Sequence, residues 1–167
     1  MAFLAEDGTG IDGANSFVSV SGADSFFLDR ADTAWAALSS TAKQAALIQA
    51  SSYLDSYYAG LWPGDILSDT QGLSWPRTGA YDANGRELSG VPGKVIEAVC
   101  LLAKEASGSP LTSSYDGAAV VTRKKLGPLE TEYAATGRTP GKRYPFVALA
   151  LRGIVSGGGS ALKLVRV

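Results

Sequence analysis

The chain has 167 residues, 46% hydrophobic and 19% charged, which fits one compact domain or a small domain with extensions. Its formal net charge is −1, so the whole-molecule field steers it toward neither DNA nor acidic membranes; nucleic-acid contact would need a local patch or a ring of copies. It has no histidine and one cysteine, which removes Ser-His-Asp and Cys-His catalysis, the usual His/Cys zinc sites and any internal disulfide.

The opening "MAFLAEDGTG" has no basic region and turns acidic after a few apolar or small residues. Neither a signal peptide nor a membrane span is expected, and the chain reads as soluble and cytoplasmic. "NSFVSVSGAD" alternates Phe17, Val18 and Val20 with serines, so residues 1–20 read as an extended arm or short strand. Ser21 or Asp24 then caps a helix through "ADSFFLDRA", and Asp32 or Thr33 caps a short turn holding Trp35 and Leu38.

The clearest helix follows Ser40 or Thr41, with Gln44 in capping-box position and Gly60 as its stop. Ala46, Ala50, Tyr53, Leu54 and Tyr57 recur at spacings of three and four, which predicts one apolar stripe, widened by Leu47 and Tyr58. Residues 60–91 carry no helical period and form a long inter-helix loop, a length usually reserved for function or interfaces. Within it, Asn84-Gly85 predicts a hairpin with a type I′ turn between Tyr81 and Leu88. Pro92 starts the next helix, whose Val95, Val99, Leu102 and Ala106 share a face; Cys100 lies in its apolar run as a small buried hydrophobe. Beyond Gly108-Ser109-Pro110, strands over 118–126 and 129–134 meet at Gly127-Pro128, "GRTPGKR" forms a basic turn, and a short apolar helix begins near Pro145. "SGGGS" tethers a last β-prone strand, "ALKLVRV".

The predicted fold class is therefore mainly α: a small helical bundle with a long inter-helix loop, a β-hairpin and an extended C-terminal arm. Its divisions are an arm (1–20), a bundle core (21–110) containing the 60–91 loop, a hairpin with a short helix (111–156) and a tethered strand (157–167).

No catalytic constellation, cofactor site or metal site emerges. Asp82, Asn84 and Glu87 lack the bidentate glutamate of a calcium loop and read as a turn; Asp65, Asp69 and Asp116 read as solvated turn aspartates. Arg123, Lys124 and Lys125, with Arg138, Lys142 and Arg143, could grip a single strand beside Tyr57, Tyr58, Trp62 and Trp75. The simpler reading of 123–125 is a hairpin charge-paired with Glu130 and Glu132. "LSWPR" places Leu73, Trp75, Pro76 and Arg77 as a loop anchor, with Trp75 plugged between the 42–58 and 93–106 helices and Arg77 paired with Asp55 or capping a helix end.

The order of "ADSFFLDR", "KQAALIQASSYLDSYYAG", "LSWPRTGAYDANGREL", "VPGKVIEAVCLLAKE" and "VTRKKLGPLETEYA" resembles the head–tail connector (adaptor) proteins of long-tailed bacteriophages, a group also labelled DnaT-like single-stranded DNA-binding proteins. The resemblance covers residues 17 to 167 and implies a non-enzymatic virion protein of the neck, present in the host cytoplasm during assembly. It implies a dodecameric ring of this chain joining the portal to a stopper, head-closure or tail protein, with DNA passing through unread and no membrane contact. On that reading Leu162, Lys163, Leu164, Val165, Arg166 and Val167 would dock on the portal. Arg123, Lys124, Lys125, Leu126, Leu129 and Glu130 would meet a neighbouring subunit or the adjacent ring. Single-stranded DNA binding is the alternative function.

Overall fold

The computed structural model describes residues 2–112, 123–126, 129–132 and 144–155. The chain divides into two compact units, one of Met1–Leu111 with Tyr144–Val167 and one of Thr112–Arg143. The described residues are mainly helical: α1 (Val20–Leu28), α2 (Thr33–Ala36), α3 (Ser40–Tyr57), α4 (Gly93–Gly108) and α5 (Pro145–Ala150). Two short antiparallel pairs accompany them, β1 (Asp65–Ile66) with β2 (Arg77–Thr78), and β3 (Arg123–Leu126) with β4 (Leu129–Glu132). The expected terminal strand at 157–167 lies outside the described residues.

In the larger unit α3 and α4 form the main helix–helix contact, α1 lies against both, and α5 packs on α4. Ser39 starts α3, its hydroxyl accepting from the Ala42 amide at 3.2 Å, one residue before the expected cap. The buried positions of α3 are Ala46, Leu47, Ala50, Ser51 and Leu54; those of α4 are Val95, Ala98, Val99, Cys100, Leu102 and Ala103. Small residues on both helices let the axes approach closely, and each buried Leu or Val contributes about 1.5–3 kcal/mol by leaving water. Tyr57 departs from the expected stripe: it is 56% exposed, its ring lying at 13° to that of Tyr53. Burial pushes the Cys100 thiol up to about 12, so it stays protonated and packs as a hydrophobe.

Among the described residues the first twenty positions hold no strand, only isolated bridges of Ala5 with Ser16 and of Asp12 with Gln71. Phe17 and Val18 enter the core, and the Phe17 amide donates to the buried Ser51 hydroxyl at 3.1 Å. The alternation of "SFVSV" reflects this insertion into the core, and Ser19 already caps α1. Upstream, the buried Glu6 carboxylate accepts the amides of Gly8, Gly10 and Ile11 at 2.9–3.0 Å and folds that stretch into a tight loop. Asp12 bridges to Gln71, and Gly72 lies so close to Ala14 that a Cβ there would meet its carbonyl oxygen at 2.3 Å. Asp32 caps α2 by accepting the Trp35 amide at 3.2 Å, while Trp35 stacks on Phe27 at 4.4 Å.

Candidate nucleic-acid interface

Residues 60–91 carry the stretch that looked most unusual in the sequence. Trp75 is fully buried, Pro76 is among the largest fully buried side chains, and Leu73 is buried beside them. The Trp75 ring meets Trp62 edge-on at 5.9 Å, and neither indole N–H has a hydrogen-bond partner among the described residues. The peptide bond between Trp75 and Pro76 is cis. A buried ring cannot take a base, so the stacking role open to Trp75 in the sequence is removed.

Arg77 neither pairs with Asp55 nor caps a helix. It donates to the carbonyls of Pro63 at 2.7 Å, Ser74 at 3.2 Å and Gly64, closing the loop on itself. Asp55 instead accepts the Ser74 amide at 2.9 Å, tying the loop to α3. A planar guanidinium with five donors suits a cradle of carbonyls, and the nearby turn supplies three. The expected type I′ turn is also replaced. Only Gly85 has a positive φ (75°) and Asn84 does not, while Gly85 N donates to Asp82 O and Asp82 N to Arg86 O. This is a three-residue loop, a turn closed by glycine in the left-handed region. The Asp82 carboxylate sits inside it; the Arg86 amide, against the cost of burial, and then the Arg86 side chain hold its pKa below the usual range.

Among the described residues the exposed aromatic surface is small. Tyr57 and Tyr81 are exposed and Tyr53 is half-buried; Tyr58 and Trp62 are buried. Burial first, then the neighbouring tyrosines Tyr57, Tyr144 and Tyr58, raise the Tyr53 phenol, so it remains neutral at physiological pH.

Charge is segregated along the chain in a way that the net value of −1 conceals. Residues 1–111 and 144–155 hold seven of the fifteen basic and thirteen of the sixteen acidic side chains. Residues 112–143 hold six basic against three acidic, and Lys163 and Arg166 follow in the last segment. Moreover, the basic side chains of the helical unit are already committed. Lys43 pairs with Asp24 at 2.9 Å, Lys104 with Asp32, Arg86 with Asp82 at 2.8 Å and Arg30 with Glu97 at 3.8 Å. Arg77 holds its loop carbonyls, and Lys94 donates to the Arg152 carbonyl at 2.6 Å. Among the described basic residues of the helical unit, only the Arg152 side chain is left without such a partner. Phosphate contact by this unit would therefore cost existing interactions and meet net repulsion.

In the smaller unit, register sets Arg123 opposite Glu132, Lys125 opposite Glu130, Lys124 opposite Thr131 and Leu126 opposite Leu129. Two of three cations thus stand across from a carboxylate, the arrangement expected of a charge-paired hairpin, and Lys124 stands across from a neutral residue. Arg138, Lys142 and Arg143 lie outside the described residues, as do Leu162 to Val167. Among the described residues no three His, Cys, Asp or Glu groups come together as a metal site. No described helix is long and apolar enough to cross a membrane.

A family model described as "Putative DnaT-like ssDNA binding protein" matches residues 1–167. No curated protein and no solved structure matches the chain.

Proposed function

The chain belongs to this DnaT-like family, and from that premise we propose that it binds single-stranded DNA without reading sequence, through the basic 112–143 unit and not through the helical one. The observation that carries this reading is the charge segregation: six basic residues against three acidic in 112–143, beside a helical unit rich in acid whose cations are occupied. Contact would be electrostatic, made mainly by Lys124 and by the Arg138, Lys142 and Arg143 cluster, with Arg123 and Lys125 released from their opposing glutamates as phosphates arrive. The protein is then a non-enzymatic binding protein that needs no cofactor.

Titration of a fluorescent oligothymidylate at about 50 and 200 mM salt tests this, because single-strand affinity falls with log salt at a slope of about −0.7 per phosphate neutralised. With six basic residues engaged the slope reaches about −4, and Arg123→Gln, Lys124→Gln and Lys125→Gln together bring it to about −2. Lys43→Gln leaves it unchanged. No binding at the lower salt discards the reading.

A second reading is supported by the acid-rich helical unit, which suits a wall past which DNA slides better than a groove that holds it. This is the ring-forming head–tail adaptor, joining portal to stopper or tail in the virion neck, assembled in the host cytoplasm, with residues 162–167 reaching the portal. Electron microscopy of particles would then show the protein as a ring at the neck, and particles without density for it there would discard this reading.

A further inference from the structure

The corner between α1 and α2 encloses a cavity of about 440 Å³, within the size range of small-ligand sites. Its apolar wall is made by Phe27 and Trp35, whose rings stack at 4.4 Å, with Leu28, Ala31 and Ala36 around them. Leu28 is 79% exposed, so an occupant would cover an apolar side chain that otherwise stands in water. Ala31 is the one non-glycine residue with a positive φ (52°) among the described residues. It closes α1 in a Schellman turn, its amide donating to the Leu28 carbonyl and the Asp32 amide to the Phe27 carbonyl, both at 3.0 Å. Glycine is the usual residue there, because a Cβ in the left-handed region is strained. Here the strained Cβ belongs to a residue of the cavity wall.

Asp24 gives the cavity its polar end. Lys43 and the Trp35 indole N–H both meet its Oδ1, at 2.9 and 2.8 Å, and no hydrogen bond reaches Oδ2 among the described residues. Burial opposes its ionisation, but those hydrogen bonds and the Lys43 charge hold its pKa below the usual range, so it is a carboxylate at neutral pH. The other lining charges are engaged, Lys43 by Asp24 and Asp32 by the Trp35 amide and Lys104. Arg30 lies over the Phe26 ring and pairs with Glu97, outside the wall. The C-terminal end of α1, with no basic residue in its last turn, adjoins the cavity and adds partial negative charge.

We propose that this cavity binds a small organic ammonium ion, its aromatic or branched body against Phe27, Trp35 and Leu28 and its nitrogen on Asp24 Oδ2. The site lies wholly in the helical unit and is independent of any DNA contact.

Calorimetric titration with phenethylamine, and with 2-phenylethanol as its neutral counterpart, tests this. The amine binds about tenfold more tightly, the worth of one charge-assisted hydrogen bond, and Asp24→Asn erases the difference. Ala36→Phe, at an exposed position of the wall, fills the cavity and abolishes binding of both. Ala31→Gly raises the denaturation midpoint by relieving the left-handed strain, yet weakens binding about threefold by removing a wall methyl. Amide shifts caused by phenethylamine fall within residues 24–43, and circular dichroism checks that each variant is folded. No binding of phenethylamine, equal affinity for the two probes, binding that survives Ala36→Phe, or shifts centred elsewhere would each overturn the inference. So would a self-association of the wild-type chain that Ala36→Phe removes, which would give the cavity to Leu28 of a second copy.

Discussion

Trp75 offers the most informative stability test. Its ring is fully buried and lies edge-on to Trp62, and its Nε1 has no hydrogen-bond partner among the described residues. Two opposing contributions follow. Burial of the ring favours folding, and truncation of a buried Trp to Ala costs about 3–5 kcal/mol once the cavity is included. The unpartnered N–H opposes folding, since a buried polar group without a partner costs about 1–3 kcal/mol in lost hydration. Trp75→Ala should therefore cost about 2–4 kcal/mol, toward the low end of the tryptophan range, because the burial of an unsatisfied donor disappears with the ring. Trp75→Phe removes the same donor while retaining most of the aromatic volume, and should cost less than about 1 kcal/mol. Urea denaturation followed by circular dichroism measures both, with the m-value checked for constancy. If Trp75→Phe destabilised as much as Trp75→Ala, the N–H would be contributing a bond after all and the reasoning would fail. A loss below about 1 kcal/mol for Trp75→Ala would show instead that the site collapses around the missing ring.

Two further predictions rest on individual side chains. The pKa of Asp24 is lowered: burial opposes its ionisation, but hydrogen bonds from Lys43 and Trp35 and the Lys43 charge outweigh it. A depressed folded-state pKa contributes stability that is present above the unfolded value of about 3.9 and is lost as pH falls through the folded one. Denaturation midpoints should drop more steeply below about pH 4 in the wild type than in Asp24→Asn, and equal slopes would remove Asp24 from the account. At Gly72 a Cβ would meet the Ala14 carbonyl oxygen at 2.3 Å and the Ala14 nitrogen at 2.7 Å, both backbone. Gly72→Ala should cost about 1–3 kcal/mol by overpacking and loosen the N-terminal segment, seen as faster amide exchange at residues 11–18; unchanged exchange would contradict that coupling.

The helices were legible in the sequence where local signals agreed. The 3.6-residue periods of α3 and α4, the serines before α3, and Pro145 opening α5 each belong to a single element, so a linear reading finds them. The β3–β4 pair was likewise announced by Gly127-Pro128; the rest of the expected strands, 118–122 and 133–134, lies outside the described residues. What escaped was long-range. The Phe17 amide finds its acceptor in Ser51, thirty-four residues away, which makes a core insertion from what reads as an alternating strand. Arg77 could not be assigned to the carbonyls of Pro63, Ser74 and Gly64 because turns do not announce which of their oxygens converge. Tyr57 shares the spacing of the buried stripe and is exposed, while its neighbour Tyr58 is buried. The charge segregation was available in the sequence throughout; a single net value averaged it away.

The Tyr144 hydroxyl donates to the Leu111 carbonyl at 3.1 Å, across thirty-three positions of chain. These two residues are where the chain leaves the helical unit and where it comes back. With exit and return held together, the helical unit fixes the distance that residues 112–143 must span. Doubling the length of that segment would cost only about 0.6 kcal/mol in closure entropy. A foreign hairpin or an affinity tag inserted between these two points should then leave the helical unit folded, where one inserted at residues 72–76 would not.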